Sequence, residues 1–150
     1  MAGIELNSSA FTDHTAIPRR YAKDGDNVSP PLTWSGVPDE AAELALVCED
    51  PDAPSGTFLH WLVTGIDPHA DGLPAGGTGP GGQPHRNGFG DRGWGGPKPP
   101  VGDDAHRYFF RLYALPEPVS LPDDATADDV HRVLDREQLA SGTLVGLYRR

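Results

Sequence analysis

The 150-residue chain has a formal net charge of −10, from 12 lysines and arginines against 22 aspartates and glutamates. This length predicts one domain with its own hydrophobic core, spanning residues 1–150. The acidic balance excludes a nucleic-acid surface, which needs a basic patch, and broad adsorption to anionic lipid. The single cysteine, Cys48, excludes an intramolecular disulfide and is typical of a reducing compartment.

Neither a targeting segment nor a membrane span is expected. The first residues, MAGIELNSSAF, have no basic stretch followed by an apolar one. No apolar run approaches the roughly 20 residues that a membrane helix needs. We therefore predict a cytoplasmic protein. Its 19 glycines and 16 prolines break helices and form turns, so a mainly β fold is favoured.

Hydrophobic patterning predicts short strands and one helix, in the chain order 4–6, 32–34, 43–49, 58–66, 107–115, helix 126–137 and 142–148. The unbroken apolar centre of segment 43–49 indicates burial on both faces. In segment 58–66, alternation places Phe58, His60, Leu62 and Thr64 on one face and Leu59, Trp61 and Val63 on the other.

The helix at residues 126–137 has a sequence signal at its beginning. Thr126 is expected to cap the helix, with Asp129 as its partner in a capping box. Val130, Val133 and Leu134 form a narrow apolar stripe that predicts the buried face. His131 lies off this stripe and is expected to face solvent.

Residues 67–105 are rich in glycine and poor in apolar side chains. A connection of this length is usually a functional loop or a disordered linker, and we expect disorder for residues 72–84. Residues 88–100, GFGDRGWGGPKPP, combine glycines with prolines. Glycine lets the backbone approach a ligand closely, and proline fixes backbone torsions. This segment is therefore predicted to form a rigid pocket rim.

Two histidines mark a candidate site near the beginnings of two strands. His60 follows the acidic turn that starts at Asp50, and His106 precedes the strand at 107–115. A lone histidine in a strand is more often structural, but a nearby carboxylate can fix its tautomer and leave one ring nitrogen for a ligand. Tyr108 lies on the same side of its strand as His106 and adds a hydroxyl donor. We interpret Asp50, His60, His106 and Tyr108 as a pocket for an oxyanion.

No catalytic residue, metal site or cofactor is predicted. The sequence has no nucleophile motif, phosphate-binding loop, or paired-cysteine or HExxH metal motif. Zinc held by His60, His106 and an aspartate stays conceivable, but no local spacing supports it.

Four blocks carry a resemblance to a known family: IPRRYAKDGDNVSPPLTWSGVP at 17–38, LALVCEDPDAPSGTFLHWLVTGI at 44–66, GWGGPKPPVGDDAHRYFFRLYAL at 93–115 and LASGTLVGLYRR at 139–150. Together they resemble the phosphatidylethanolamine-binding proteins, specifically the bacterial branch, also called Raf kinase inhibitor-like proteins. The resemblance implies a β-sandwich with a large antiparallel sheet, a few short peripheral helices and an anion pocket at one end.

The resemblance also implies a set of ligand-binding residues: Asp50, Asp52, His60, Gly95, Gly96, Pro97, Pro99, Pro100, His106 and Tyr108. In that family the pocket accepts phosphate-like and carboxylate anions, including phospholipid head groups. On the same grounds the Ala53–Pro54 bond is a candidate cis peptide, against a base rate of about 5–6%. The chain departs from the family pattern at Trp94, where tyrosine is common, and at Lys98, where bacterial members often have cysteine.

The leading functional hypothesis is non-enzymatic binding of a small anion or phosphorylated head group. The alternative is an interaction protein that regulates a kinase or protease through the pocket rim. A hydrolase using His60 and Asp50 is the least supported class, and a homodimer is expected only by analogy. Because Asp50 repels an anion unless it is protonated or paired, we expect stronger anion binding at mildly acid pH.

Overall fold

A computed structural model describes the fold of residues 3–150. Within that range, nine strands and one α-helix occur in the order β1 (Glu5–Asn7), β2 (Thr15–Ala16), β3 (Leu32–Ser35), β4 (Glu43–Asp50), β5 (Phe58–Ile66), β6 (Gly72–Leu73), β7 (Gln83–Pro84), β8 (His106–Leu115), α1 (Ala127–Glu137) and β9 (Ala140–Tyr148). A single 3-10 turn at Arg19–Tyr21 precedes β3.

The strands form two sheets. The larger sheet has the order β2-β9-β8-β4-β5-β7, and the smaller has the order β1-β3-β6. All neighbouring strands are antiparallel except the short edge strand β2, which runs parallel to β9. The predicted β-sandwich with a large antiparallel sheet is therefore confirmed.

Strand β4 lies at the centre of the larger sheet and is covered on both faces. All eight of its residues are buried, as its apolar run predicts. Leu44, Leu46 and Cys48 pack into the core shared with the small sheet. Ala45 and Val47 pack on the opposite face, under the helix. The domain therefore has three layers, with the larger sheet in the middle.

Helix α1 begins at the predicted capping box. The Asp129 backbone N–H donates to the Thr126 hydroxyl oxygen at 3.2 Å, and the Thr126 N–H donates to the Asp129 carboxylate at 3.0 Å. Val130 and Leu134 are fully buried against the sheet, and Val133 packs beside them. Capping and the apolar stripe thus place the helix over one face of β4.

A bulge in β5 overturns the predicted alternation of its faces. Glu49 pairs with Leu59 and Cys48 pairs with Trp61, so His60 is an extra residue in β5 with no partner on β4. Beyond it, Trp61 packs in the core under the small sheet, whereas Leu59 packs on the helix side. Leu59 and Trp61 therefore do not share a face, because a bulge changes the phase of the strand.

Two expectations about irregular segments are also wrong. Residues 72–84 are placed in turns and two short strands, and Leu73 is buried in the core, where β6 pairs with β3. The peptide bond between Ala53 and Pro54 is trans, as are all others among the described residues. Backbone pairing with β3 and β5 orders the glycine-rich stretch although it has few apolar side chains.

His131 does not face solvent as predicted. Its Nε2 atom lies 2.6 Å from the carboxylate of Glu49, which is buried at the end of β4, and its Nδ1 atom lies 3.0 Å from Asp135. Arg111 also bonds Glu49. Burial alone lowers the pKa of His131, but these carboxylate contacts outweigh it and raise the pKa overall. The contact fastens helix α1 to the sheet by charge as well as by apolar packing.

This contact makes stability depend on pH. A histidine pKa that is raised by folding stabilises the protein fully below the unfolded value of about 6.5, and the gain is lost as pH rises through the folded value. We expect His131→Gln to lower the free energy of unfolding by about 1–3 kcal/mol at pH 6 and by clearly less at pH 9, measured by urea titration.

The matched control is His69→Gln, because the His69 side chain is 94% exposed. This variant should follow the parent protein at both pH values. Equal destabilisation of His131→Gln at pH 6 and pH 9 would show that the Glu49 contact is not ionic.

Candidate functional site

The site is set by the topology of three neighbouring strands. Because β5 and β8 both run antiparallel to β4, the end of β4 meets the beginnings of the other two strands. Asp50 is the last residue of β4, Phe58 the first of β5 and His106 the first of β8. The acidic turn and both candidate histidines are thereby brought to one end of the larger sheet.

A cavity of about 170 Å³ opens at this end of the sheet. Six of the ten predicted site residues line it: Asp50, His60, Pro99, Pro100, His106 and Tyr108. The structure thus brings both histidines and Asp50 to the wall of one cavity.

A buried ion pair forms one wall of the cavity. The Nδ1 atom of His106 lies 2.6 Å from Asp50 Oδ2, and the two side chains are only 6% and 4% exposed. The other ring nitrogen, Nε2, lies 3.1 Å from the carboxylate of Asp103. Burial lowers the pKa of His106, but its hydrogen bonds to Asp50 and Asp103 outweigh that effect, so the pKa is raised. Because ionised carboxylates only accept hydrogen bonds, contacts at both ring nitrogens require the doubly protonated imidazolium form of His106.

His60 has the opposite protonation state. Its Nδ1 atom lies 2.6 Å from the backbone carbonyl of Gly95, and because a carbonyl only accepts, Nδ1 must carry the hydrogen. Burial lowers the pKa of His60 to about 4 despite this bond. The imidazole is therefore neutral at physiological pH. Its Nε2 atom carries no hydrogen and is a hydrogen-bond acceptor.

Tyr108 supplies a hydroxyl without a protein partner. The hydroxyl oxygen is buried and makes no hydrogen bond within the described part of the chain. Burial, followed by the negative charge of Asp50, raises the pKa of Tyr108 well above its ordinary value, so the group stays protonated. A buried hydroxyl without a partner is costly, and at the wall of a cavity it is available to a ligand.

The bulge at His60 also positions the rim. The Gly95 N–H donates to the His60 carbonyl at 3.0 Å, while the Gly95 carbonyl accepts from the His60 ring. A Cβ atom at Gly95 would lie 2.5 Å from the Phe89 ring, so only glycine permits this approach. The rim segment is therefore clamped to β5 by two bonds to one residue.

Four predicted site residues lie outside the cavity wall: Asp52, Gly95, Gly96 and Pro97. The last three hold the rim in place. The Gly96 N–H donates to the Asn27 side chain at 2.7 Å, and the Pro97 carbonyl accepts from the Lys23 N–H at 2.9 Å.

Asp52 instead forms a paired contact on the outer surface. It accepts from the Arg107 guanidinium through both carboxylate oxygens at 2.8 and 2.9 Å. The hydrogen bond to Arg107 is the main reason why the pKa of Asp52 falls to about 2. This carboxylate is committed to Arg107 rather than to the cavity.

Five cavity residues were not among the predicted ligand-binding residues: Ala53, Pro54, Phe58, Phe89 and Lys98. Phe58 and Phe89 meet edge to face with ring centroids 4.7 Å apart. Aromatic residues in strands and glycine-rich loops usually serve packing, so their types alone do not indicate a site. Lys98 is exposed on the rim.

No group of three or more histidine, cysteine, aspartate or glutamate side chains within residues 3–150 is arranged to hold a metal ion. The proposed zinc ligands are occupied, because both ring nitrogens of His106 contact carboxylates and His60 Nδ1 contacts a carbonyl. In the same range, no helix is long and apolar enough to cross a membrane.

Comparison with known proteins assigns this chain to a family. The profile of the family described as phosphatidylethanolamine-binding protein matches residues 7–149. The chain therefore belongs to the phosphatidylethanolamine-binding protein family, as the sequence blocks indicated.

Individual relatives agree with this assignment. A protein named UPF0098 from Methanothermobacter thermautotrophicus is 46% identical over 152 residues, covering 98% of this chain and 99% of that protein. LppC of Mycobacterium tuberculosis, which is named a lipoprotein, is 41% identical over 145 residues, covering 97% of this chain and 72% of its own.

Two solved structures share the fold. CT736 of Chlamydia trachomatis, described as a phosphatidylethanolamine-binding protein homologue, superposes with a TM-score of 0.88 at 34% identity, covering 100% of this chain and 99% of the other. YbcL of Escherichia coli, described as a member of the mammalian family, has a TM-score of 0.92 at 28% identity, with 99% of each chain covered.

The two cavity histidines are expected to titrate far apart. In a pH titration followed by the ring nitrogens in NMR, His60 should gain its second proton only near pH 4, where its pKa is placed by burial. His106 should titrate above the ordinary histidine value. Asp103→Asn should lower the pKa of His106 and leave His60 unchanged, because Asp103 contacts only the former.

Asp104→Asn is the control, since this exposed neighbour has no hydrogen bond to His106. This variant should leave the pKa values of both histidines nearly unchanged, because it removes only a solvent-screened charge. A His60 that titrates at its ordinary value would contradict the neutral, acceptor state of its Nε2 atom.

Proposed function

We propose that this protein binds a small phosphate-bearing anion, free or as the head group of a larger molecule, in the cavity beside Asp50 and His106. One observation carries the proposal. The Tyr108 hydroxyl is buried without a hydrogen-bond partner, and His60, whose Nδ1 donates to Gly95, offers Nε2 as an acceptor. The two rings line the same cavity with their centroids 5.2 Å apart. The ligand must therefore offer an acceptor and a donor close together.

A singly protonated phosphate meets this requirement. One of its ionised oxygens accepts from the Tyr108 hydroxyl, and its P–OH donates to His60 Nε2. An ionised carboxylate has only acceptors and leaves the His60 nitrogen without a partner. The cavity chemistry thus favours phosphate and phosphate esters over simple carboxylates.

Charge around the cavity is compatible with an anion. The Asp50 carboxylate is neutralised by the His106 imidazolium at 2.6 Å, which removes most of its repulsion. Lys98 at the rim contributes a positive charge near the entrance, with its side chain exposed. The remaining negative charge, on Asp103, lies on the far side of His106 and is half exposed.

We propose binding rather than catalysis, because the side chains facing the cavity are poor nucleophiles and bases. The raised pKa of Tyr108 keeps its hydroxyl protonated, and the pKa of His60 near 4 makes its free nitrogen weakly basic. His106 is occupied by carboxylates at both nitrogens. Turnover of a phosphate monoester that disappears in His60→Ala would overturn this part of the proposal.

Localisation, the source of the ligand and any protein partner are also part of this proposal. We place the protein in the cytoplasm on the basis of its sequence, although the relative LppC is named a lipoprotein. Calorimetry with free phosphate or phosphoethanolamine tests for a soluble ligand. Sedimentation with vesicles containing phosphatidylethanolamine tests for a membrane head group. Native mass spectrometry of protein from its own host reports a retained ligand, a protein partner and a homodimer together.

Tyr108→Phe removes the proposed donor without removing a protein contact. We expect phosphate affinity to fall about ten-fold or more, because a hydrogen bond to a charged group contributes about 1.5–3 kcal/mol. The melting temperature should be unchanged or slightly higher, since the hydroxyl has no partner in the free protein.

Tyr113→Phe is the matched control on the opposite face of β8. It removes a hydroxyl that donates to Asp135 at 2.8 Å, far from the cavity. Stability should fall by about 1 kcal/mol while phosphate affinity is retained. If Tyr108→Phe binds phosphate as tightly as the parent protein, the hydroxyl is not the donor and the proposal fails.

Binding of a phosphate monoester such as ethyl phosphate should strengthen as pH falls from 8 to 5. The second pKa of a phosphate monoester is about 6, so the P–OH donor becomes abundant over this range, and affinity should rise about ten-fold or more.

Sulfate is the control ligand, because it carries no proton in this range. Calorimetry should show no comparable rise for sulfate. A phosphate affinity that is flat from pH 8 to 5, or a parallel rise for sulfate, would contradict the role given to the ligand proton.

A further inference from the structure

A second cavity adjoins the proposed phosphate site. It has a volume of about 330 Å³ and lies between the beginning of β5, the loop around Gly88 and the segment that leads into helix α1. Its apolar floor includes Leu59, Ala125 and Ala127, all buried. The space is apolar at its base and open at its rim, where Thr57 is exposed.

Phe58 is the side chain that lines both cavities. On the phosphate side its ring lies 4.8 Å from the His60 ring and 4.7 Å from the Phe89 ring, measured between centroids. On the other side Gly88 makes room for it, because a Cβ atom there would lie 2.6 Å from Phe58 Cζ. A single aromatic ring therefore forms the partition between a polar and an apolar space.

The volumes indicate different occupants. Sites for drug-sized ligands begin at roughly 300 Å³. The first cavity, at about 170 Å³, falls below that size, whereas the second exceeds it. A phosphate group is small enough for the first space, and Phe58 is the residue that this space shares with the second.

Charges around the second cavity favour an uncharged occupant. Arg86 on its wall lies 3.3 Å from the Asp123 carboxylate, which it shares with Arg92. Asp124 also lines the cavity, so the formal charges of these four residues sum to zero. The capping box engages the N–H groups of Thr126 and Asp129, and Asp128 adds negative charge to the first turn of helix α1. An anionic substituent is therefore disfavoured in the second cavity. A cationic substituent would find one carboxylate on the cavity wall, that of the exposed Asp124.

We propose that the second cavity holds the short, uncharged organic substituent of a soluble phosphate ester, and that Phe58 determines which substituents are accepted. This rests on the proposed function, since the phosphate must occupy the first cavity. The phosphate fixes the ligand beside Tyr108 and His60, and the substituent crosses the edge of the Phe58 ring to reach Leu59 and Ala125.

The test compares inorganic phosphate with ethyl, butyl and hexyl phosphate by calorimetry. In the parent protein, affinity should rise along the series by up to roughly three- to four-fold for each methylene that is buried. Thr57→Trp fills the second cavity from its exposed rim and should abolish this rise while leaving the affinity for inorganic phosphate within two-fold. Thr143→Trp, at an exposed threonine in β9, is the control and should preserve the rise.

A second measurement needs no variant. NMR shift differences between the ethyl and hexyl phosphate complexes should concentrate at Leu59, Ala125 and Ala127. Affinity that does not depend on chain length, while phosphate still binds and Tyr108→Phe still weakens it, overturns this inference alone. Absence of binding by every member of the series overturns the proposed function as well. Binding to phosphatidic acid vesicles without binding of soluble hexyl phosphate also overturns the inference, because the occupant would then be presented by a membrane.

Discussion

The buried pair of Asp50 and His106 is the contact on which the rest of the site depends. It joins the last residue of β4 to the first of β8 at 2.6 Å, with both side chains almost fully buried. Removing one partner leaves an uncompensated buried charge, which typically costs about 3–5 kcal/mol. Asp50 also accepts the Asp52 N–H at 2.7 Å, so the same carboxylate begins the acidic turn. Cavity wall, strand ends and turn are thus fixed by one ion pair.

The architecture could be predicted from the sequence because each signal that indicates it lies within one segment of the chain. The apolar run of β4, the capping box of α1 and the alternation along β8 each lie within one segment, and the structure agrees with all three. The bulge at His60 is a different kind of feature. It is a mismatch of register between β4 and β5, so no residue in β5 alone reveals it. The bulge frees the His60 carbonyl for Gly95 and thereby locates the rim.

The site was predictable in its residue types but not in its partnerships. Asp50 and Asp52 are two residues apart, and the sequence does not decide which of them meets the cavity. Alternation along β8 decides it, because His106 and Arg107 point to opposite faces and each takes one carboxylate. The protonation states of His60 and His106 also depend on partners from other segments. The His60 ring contacts a backbone carbonyl, whereas the His106 ring contacts two carboxylates.

The end of β4 also links the cavity to the helix on the opposite face. Glu49 and Asp50 are successive buried carboxylates that point in opposite directions, and each is paired with a histidine whose pKa is raised. Moving the backbone to widen the cavity at Asp50 would pull Glu49 away from His131 and Arg111. The strand end therefore resists displacement from both sides, and a ligand meets a wall that is already in place. Such preorganisation favours affinity because little ordering remains to be done on binding. In the proposed function, the helix-side ion pair of Glu49 and His131 thus contributes to binding through the rigidity of one strand.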